Sequence, residues 1–154
     1  MRRSLAAFAL AALAAAPAAL SAQATDMAVT RQQIQTDRQA IVAQNLPLTE
    51  TQASAFWPLY QQYRTEVGKL NDQRQAILFN PTAADTVTDK ELTDAMTGWF
   101  KLDQQYAQLK GTWVKKFIPV LGTKGTLRFF QIENRLDLIV SASLASSIPL
   151  APVK

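Results

Sequence analysis

The side chains best suited to chemistry in this chain are two carboxylates, Glu133 and Asp137, which lie four positions apart. In a helix this spacing puts both on one face, where a pair can move protons if one member is desolvated. The alternative is an ordinary solvated helix edge, with Arg135 close by in sequence. We favour the solvated edge, and we predict no catalytic residue.

Histidine and cysteine are both absent from the chain. The sequence therefore excludes zinc and copper sites of the usual kinds, and it excludes nucleophiles activated in Ser-His or Cys-His pairs. Asp85, Asp89 and Glu91 lack the spacing of a calcium-binding EF-hand. Asp89 and Glu91 are better explained by the favourable dipole at the start of a helix. We predict no metal, no cofactor and no enzymatic activity.

The first 24 residues have the pattern of a secretory signal peptide. Arg2 and Arg3 precede an apolar run over residues 5–20, too short for a membrane span, and Ala22-Gln23-Ala24 forms a cleavage site. We predict cleavage after Ala24, which leaves a single domain over residues 25–147 and an extended tail over 148–154. Loss of the two arginines lowers the formal charge from +4 to +2. Such a small charge gives no support for nucleic-acid binding.

The remaining chain shows apolar residues at helical spacing throughout, which predicts an all-α fold of four helices. The first runs over residues 26–45 and stops before Pro47, and the second over residues 49–79. The third begins near Thr88, and a fourth begins near Thr123 or Thr126 and ends near residue 147. Matching apolar stripes on the second and third helices predict a long antiparallel helical hairpin.

Two segments share one pattern at the predicted helix starts. Each has an apolar residue, a threonine and, three positions after the threonine, a Gln or Glu. The threonine hydroxyl can accept a hydrogen bond from the backbone three residues on, and the Gln or Glu can reach back. We therefore predict two capping boxes, formed by Leu48, Thr49 and Gln52 and by Val87, Thr88 and Glu91.

Large apolar side chains lie off the centre of the predicted stripes at Trp57, Met96 and Phe100. Each helix of a bundle has two neighbours, so a broad apolar face is one explanation. The other is an exposed strip that binds polypeptides. On the fourth helix, Leu127 and Leu138 point away from the main apolar face, and we predict that they form a homodimer contact. The competing arrangement is a monomer in which they pack under the C-terminal tail.

The segment Leu48-Thr49-x-x-Gln52, which opens a long helix behind a signal peptide, resembles the LTxxQ motif of the Spy/CpxP family of periplasmic proteins. Members typically carry a second copy, and the matching place here reads Val87-Thr88-x-x-Glu91. The resemblance implies a hairpin that dimerises into a curved cradle. It also implies an ATP-independent chaperone or envelope-stress role in the periplasm, with unfolded polypeptides as clients.

Three departures from that family limit what the resemblance implies. Metal-binding relatives use histidines, which this chain lacks, so metal sensing is not expected here. The chaperone relatives have a strongly basic concave face, whereas the mature chain carries a formal charge of only +2. The segment over residues 129–134 also has no counterpart that we can name in the family. The other class of function open to the sequence is a structural or regulatory adaptor that docks on one envelope partner and has no chaperone activity.

Overall fold

The computed structural model describes residues 33–34, 36–78, 87–145 and 148 of the 154-residue chain. This part is all-helical, with α1 at residues 33–34 and 36–45, α2 over Glu50–Leu78 and α3 over Asp89–Ala145. The predicted signal peptide, residues 79–86 and all of the predicted tail except Ile148 lie outside the described residues. Of the helices described, none combines the length and the hydropathy that a membrane span requires.

Both predicted capping pairs carry reciprocal hydrogen bonds. The Thr49 N–H donates to Gln52 Oε1 at 3.1 Å, and the Gln52 N–H donates to Thr49 Oγ1 at 3.2 Å. At the start of α3, the Thr88 N–H donates to Glu91 Oε2 at 2.8 Å, and the Glu91 N–H donates to Thr88 Oγ1 at 3.3 Å. The hydrogen bond from the Thr88 backbone lowers the pKa of Glu91, because it favours the charged carboxylate.

We expect Thr49→Ala and Thr88→Ala each to lower the free energy of unfolding by about 1 kcal/mol, the usual contribution of an N-cap. Thr97→Ala is the matched control, because Thr97 is an exposed residue inside α3 and caps nothing. Urea denaturation followed by circular dichroism measures all three. If both cap variants unfolded at the wild-type midpoint, the hydroxyls would not contribute as described.

The predicted third and fourth helices correspond to the two parts of α3, which meet at a single non-helical residue, Gly122. Gly122 has φ 67° and ψ 170°, a left-handed φ that glycine adopts without the steric cost of a Cβ atom. The Thr126 hydroxyl donates to the Gly122 carbonyl at 2.8 Å, at the start of the second part of α3. Lys110 Nζ lies 3.4 Å from Asp137 Oδ2 across the break, so the chain reverses direction at Gly122. The described residues therefore form three helices, the last of which is divided into two parts at Gly122.

Side-chain contacts show that α2 and the first part of α3 run in opposite directions. Partner numbers fall along α3 as they rise along α2, in the pairs Gln52–Val120, Glu66–Trp113, Asn71–Tyr106 and Arg74–Asp103. Near the end of α2 the helices approach closely, since a Cβ atom on Gly98 would lie 3.2 Å from Ile77 Cδ1.

Aromatic rings from α2 and from both parts of α3 form the centre of the core. The Phe129 ring lies after the break at Gly122, and its centroid is 4.7 Å from that of Phe117, 5.4 Å from Phe56 and 5.8 Å from Tyr63. Val42 of α1 and Leu46, which directly follows α1, belong to the same buried cluster. The cluster therefore holds α1, α2 and the two parts of α3 together around Phe129.

Candidate functional site

Glu133 is fully buried, with 0% of its surface exposed, so the prediction of a solvated helix edge is wrong for this residue. Its Oε2 atom accepts a hydrogen bond from Arg38 Nη1 at 2.9 Å and another from Arg64 Nη1 at 3.0 Å. Arg38 lies on α1 and Arg64 on α2. One carboxylate oxygen of α3 therefore joins all three helices.

Asp137 extends this network towards the surface. Its Oδ1 accepts from Arg38 Nη2 at 3.0 Å, and its Oδ2 lies 3.4 Å from Lys110 Nζ. Arg38 thus bridges the two carboxylates that the sequence placed on one helix face. Unlike Glu133, the Asp137 side chain is partly exposed.

The electrostatics of the network are dominated by burial. Burial raises the pKa of Glu133, against the two arginines, which lower it. Burial also disfavours the charge on Arg38, but Glu133 and Asp137 outweigh it and raise the pKa of the guanidinium. Since Glu133 is enclosed and its Oε2 is held by two arginines, no surface of this carboxylate is open to a substrate. The arrangement suits helix packing better than proton transfer.

A cleft of about 320 Å³ opens beside Asp137, between α1, α2 and the two parts of α3. Tyr106 lies in its wall, and its hydroxyl donates to Asn71 Oδ1. The Arg74 guanidinium lies 5.3 Å from the centroid of this ring, and Lys110 Nζ lies 5.9 Å from it. Burial, more than the nearby Asp137, raises the pKa of Tyr106 to about 12, so the phenol is neutral at physiological pH.

Three large apolar side chains are exposed together on the first part of α3: Met96 at 56%, Trp99 at 43% and Phe100 at 67%. Their spacing of three and four residues puts them on one helix face, and we call them the apolar patch. The sequence places Met96 and Phe100 off the stripe but puts Trp99 within it as a core residue. The exposure of Trp99 corrects that prediction and enlarges the candidate surface.

Trp57, the third predicted binding residue, is not part of the apolar patch. It is half-buried, and its ring makes edge-to-face contacts with Phe56 at 5.0 Å and Tyr60 at 5.6 Å. Along α2 it is also about 30 Å from Ile77, which lies opposite Gly98 at the patch. Trp57 therefore contributes to the core and does not share a surface with Met96 and Phe100.

The two predicted dimer residues, Leu127 and Leu138, are both exposed, at 61% and 60%. Eleven helical residues separate them, which is close to three full turns and puts them on the same face. Within the described ranges, no acidic side chains are grouped closely enough to hold a metal ion.

The fold and these surfaces define an all-helical protein whose helices are joined by an aromatic cluster and a buried ion network, with apolar side chains exposed on α3. Comparisons with protein-family models, with curated proteins and with solved structures gave no match. The function is therefore inferred from this chain's own residues.

Proposed function

We propose that this protein binds unfolded polypeptides in the periplasm without ATP or a cofactor, as a chaperone-like or envelope-stress protein. The observation that carries the proposal is the apolar patch of Met96, Trp99 and Phe100. Exposed clusters of large apolar side chains are typical of surfaces that bind other proteins. The predicted signal peptide and the resemblance to the Spy/CpxP family support the same function.

The chemistry of the apolar patch suits clients of varied sequence. Methionine is flexible and polarizable, so it adapts to differently shaped partners, and aromatic rings offer large contact areas. Hydrophobic contact is non-directional, which lets one surface accept many unfolded segments. The ion pair between Arg74 and Asp103 lies one helical turn from Phe100 and supplies charge at the border of the patch.

The architecture that we propose for this function keeps the predicted four helical segments. The break at Gly122 divides α3 into a third and a fourth segment. The antiparallel contacts between α2 and the third segment support a long helical hairpin. In this arrangement the apolar patch lies near the C-terminal end of α2, because Gly98 lies opposite Ile77.

Light scattering of two unrelated denatured clients tests the proposed function. We expect the protein to suppress the aggregation of both and the double variant Met96→Gln/Phe100→Ser to lose most of this effect. Ile118→Ser is the matched control, because Ile118 is also an exposed apolar residue of α3 but lies outside the patch. Failure to protect either client, together with tight binding to one envelope protein, would instead identify an adaptor.

We also propose a homodimer whose contact includes Leu127 and Leu138. Two exposed leucines on one face of a helix form a self-complementary surface when two copies pair about a twofold axis. Sedimentation equilibrium at micromolar concentration should give a dimer mass for the wild type and a monomer mass for Leu138→Lys. A single monomeric species for both proteins would contradict the dimer.

A further inference from the structure

The cleft beside Asp137 has an excess of positive charge. Four cationic side chains line it: Arg38, Arg64, Arg74 and Lys110. Among the described residues they form ion pairs with three carboxylates, those of Glu133, Asp137 and Asp103. Four positive charges against three negative ones leave one positive charge, so the cleft favours an anion.

Two of these cations retain hydrogen-bond donors for a ligand. Lys110 Nζ lies 3.4 Å from Asp137 Oδ2, a long contact that uses one of its three N–H groups. Arg64 donates to Glu133 through Nη1 alone. A guanidinium has five N–H bonds, so the other nitrogens of Arg64 can donate to a ligand. Both side chains are partly exposed, whereas Arg38 is buried and already bonded to two carboxylates.

The same cleft has an apolar side, to which Val140 and Leu144 contribute. Its volume of about 320 Å³ lies at the lower end of the range for small-molecule pockets, roughly 300–1,000 Å³. A bare inorganic anion would make no contact with the apolar wall. The lining instead matches an anion that carries a short hydrocarbon chain.

We propose that this cleft binds a small aliphatic carboxylate, with the charged group at Lys110 and Arg64 and the chain against Val140 and Leu144. The paired geometry of a carboxylate suits a guanidinium, which can donate two parallel hydrogen bonds to it. The site is separate from the apolar patch and does not depend on the proposed binding of unfolded polypeptides.

Isothermal titration calorimetry of the protein with octanoate, butanoate, acetate and inorganic phosphate tests the ligand class. Octanoate should bind most tightly, with affinity rising about fourfold for each CH₂ group that the cleft buries. Acetate and phosphate should bind weakly, because neither contacts the apolar wall. Equal affinity for octanoate and acetate, or phosphate bound as tightly as octanoate, would overturn the proposal.

Two lysine variants test the position of the carboxylate. Lys110→Met should weaken octanoate binding about tenfold, because a charge-assisted hydrogen bond is lost. Lys115→Met makes the same change in net charge at an exposed residue of α3 that does not line the cleft, and it should bind as the wild type does. An equal loss in both variants would show that octanoate responds only to overall charge and would overturn the site.

The double variant Met96→Gln/Phe100→Ser separates the two proposals. It should retain octanoate affinity even though it loses client protection, since neither residue lines the cleft. Loss of octanoate binding in this variant would show that the ligand occupies the apolar patch and would overturn the cleft. The result is independent of whether the protein protects unfolded clients.

Discussion

Arg38→Met should lower the free energy of unfolding by about 3 kcal/mol, because it removes one partner from a buried ion pair. The variant leaves the fully buried Glu133 with Arg64 alone and deprives Asp137 of its contact with α1. Chemical denaturation followed by circular dichroism measures the loss. A loss of free energy of unfolding this large is expected only where the carboxylate that remains, here that of Glu133, is shielded from water.

The control for this prediction is an ion pair of the same kind in solvent. Lys90 and Asp94 form an exposed pair on α3, so Lys90→Met should change the free energy of unfolding by less than about 1 kcal/mol. Should Arg38→Met cost no more than Lys90→Met, the network around Glu133 would not stabilise the fold as proposed.

A double variant separates two contributions to the free energy of unfolding: the stabilisation by the complete ion network and the penalty for a buried charge left without its partner. Arg38→Met/Glu133→Leu removes both buried charges and should recover much of the stability that Arg38→Met loses. Recovery is expected because the native network is not fully satisfied. Among the described residues, Glu133 Oε1 and Arg38 Nε have no hydrogen-bond partner. A double variant less stable than Arg38→Met would show instead that the carboxylate is stabilising without its main partner.

Phe129→Ala should also destabilise the fold, by about 4 kcal/mol, because it leaves a cavity where the helices meet. The Phe129 ring is fully buried and contacts rings of α2 and of the first part of α3. Phe100→Ala removes the same side chain from an exposed site and should change stability by less than about 0.5 kcal/mol. Similar midpoints in urea for the two variants would contradict the central position of Phe129 in the core.

Local features of the fold could be predicted from sequence because their causes lie within a few residues. Thr49 and Gln52 are three positions apart, and so are Thr88 and Glu91, so short-range geometry alone determines their hydrogen bonds. The end of α1 at residue 45 likewise follows from the nearby Pro47. In contrast, the contact between Gln52 Nε2 and the Val120 carbonyl has no local signal.

The burial of Glu133 could not be predicted from its spacing to Asp137 alone, because its partners lie 69 and 95 residues away along the chain. A weaker signal was present in the apolar stripes. Glu133 lies four residues after Phe129 and three before Leu136, in phase with buried positions. Arg38 lies four residues before the buried Val42. When two helices each carry a charged residue at a position of their apolar stripe, and the two charges have opposite sign, the pattern indicates a buried ion pair.

Trp99 shows that helical spacing can also predict burial for a residue that is exposed in the structure. Its position within the apolar stripe of α3 predicts burial, yet 43% of its surface is exposed. Helical spacing reports which face of a helix is apolar, but it does not report whether a neighbouring helix extends far enough to cover that face. Opposite Gly98, α2 is already at Ile77, one residue before its end at Leu78. The exposed patch therefore follows from the relative lengths of the helices.

The most direct test of polypeptide binding at the apolar patch is photo-crosslinking from chosen positions of the protein. A benzophenone amino acid at position 100 lies in the patch, and one at position 118 lies on an exposed apolar site of the same helix outside it. With two unrelated unfolded clients, position 100 should form adducts with both and position 118 with neither. Equal yields from the two positions, or no adduct from position 100, would contradict the proposed binding surface.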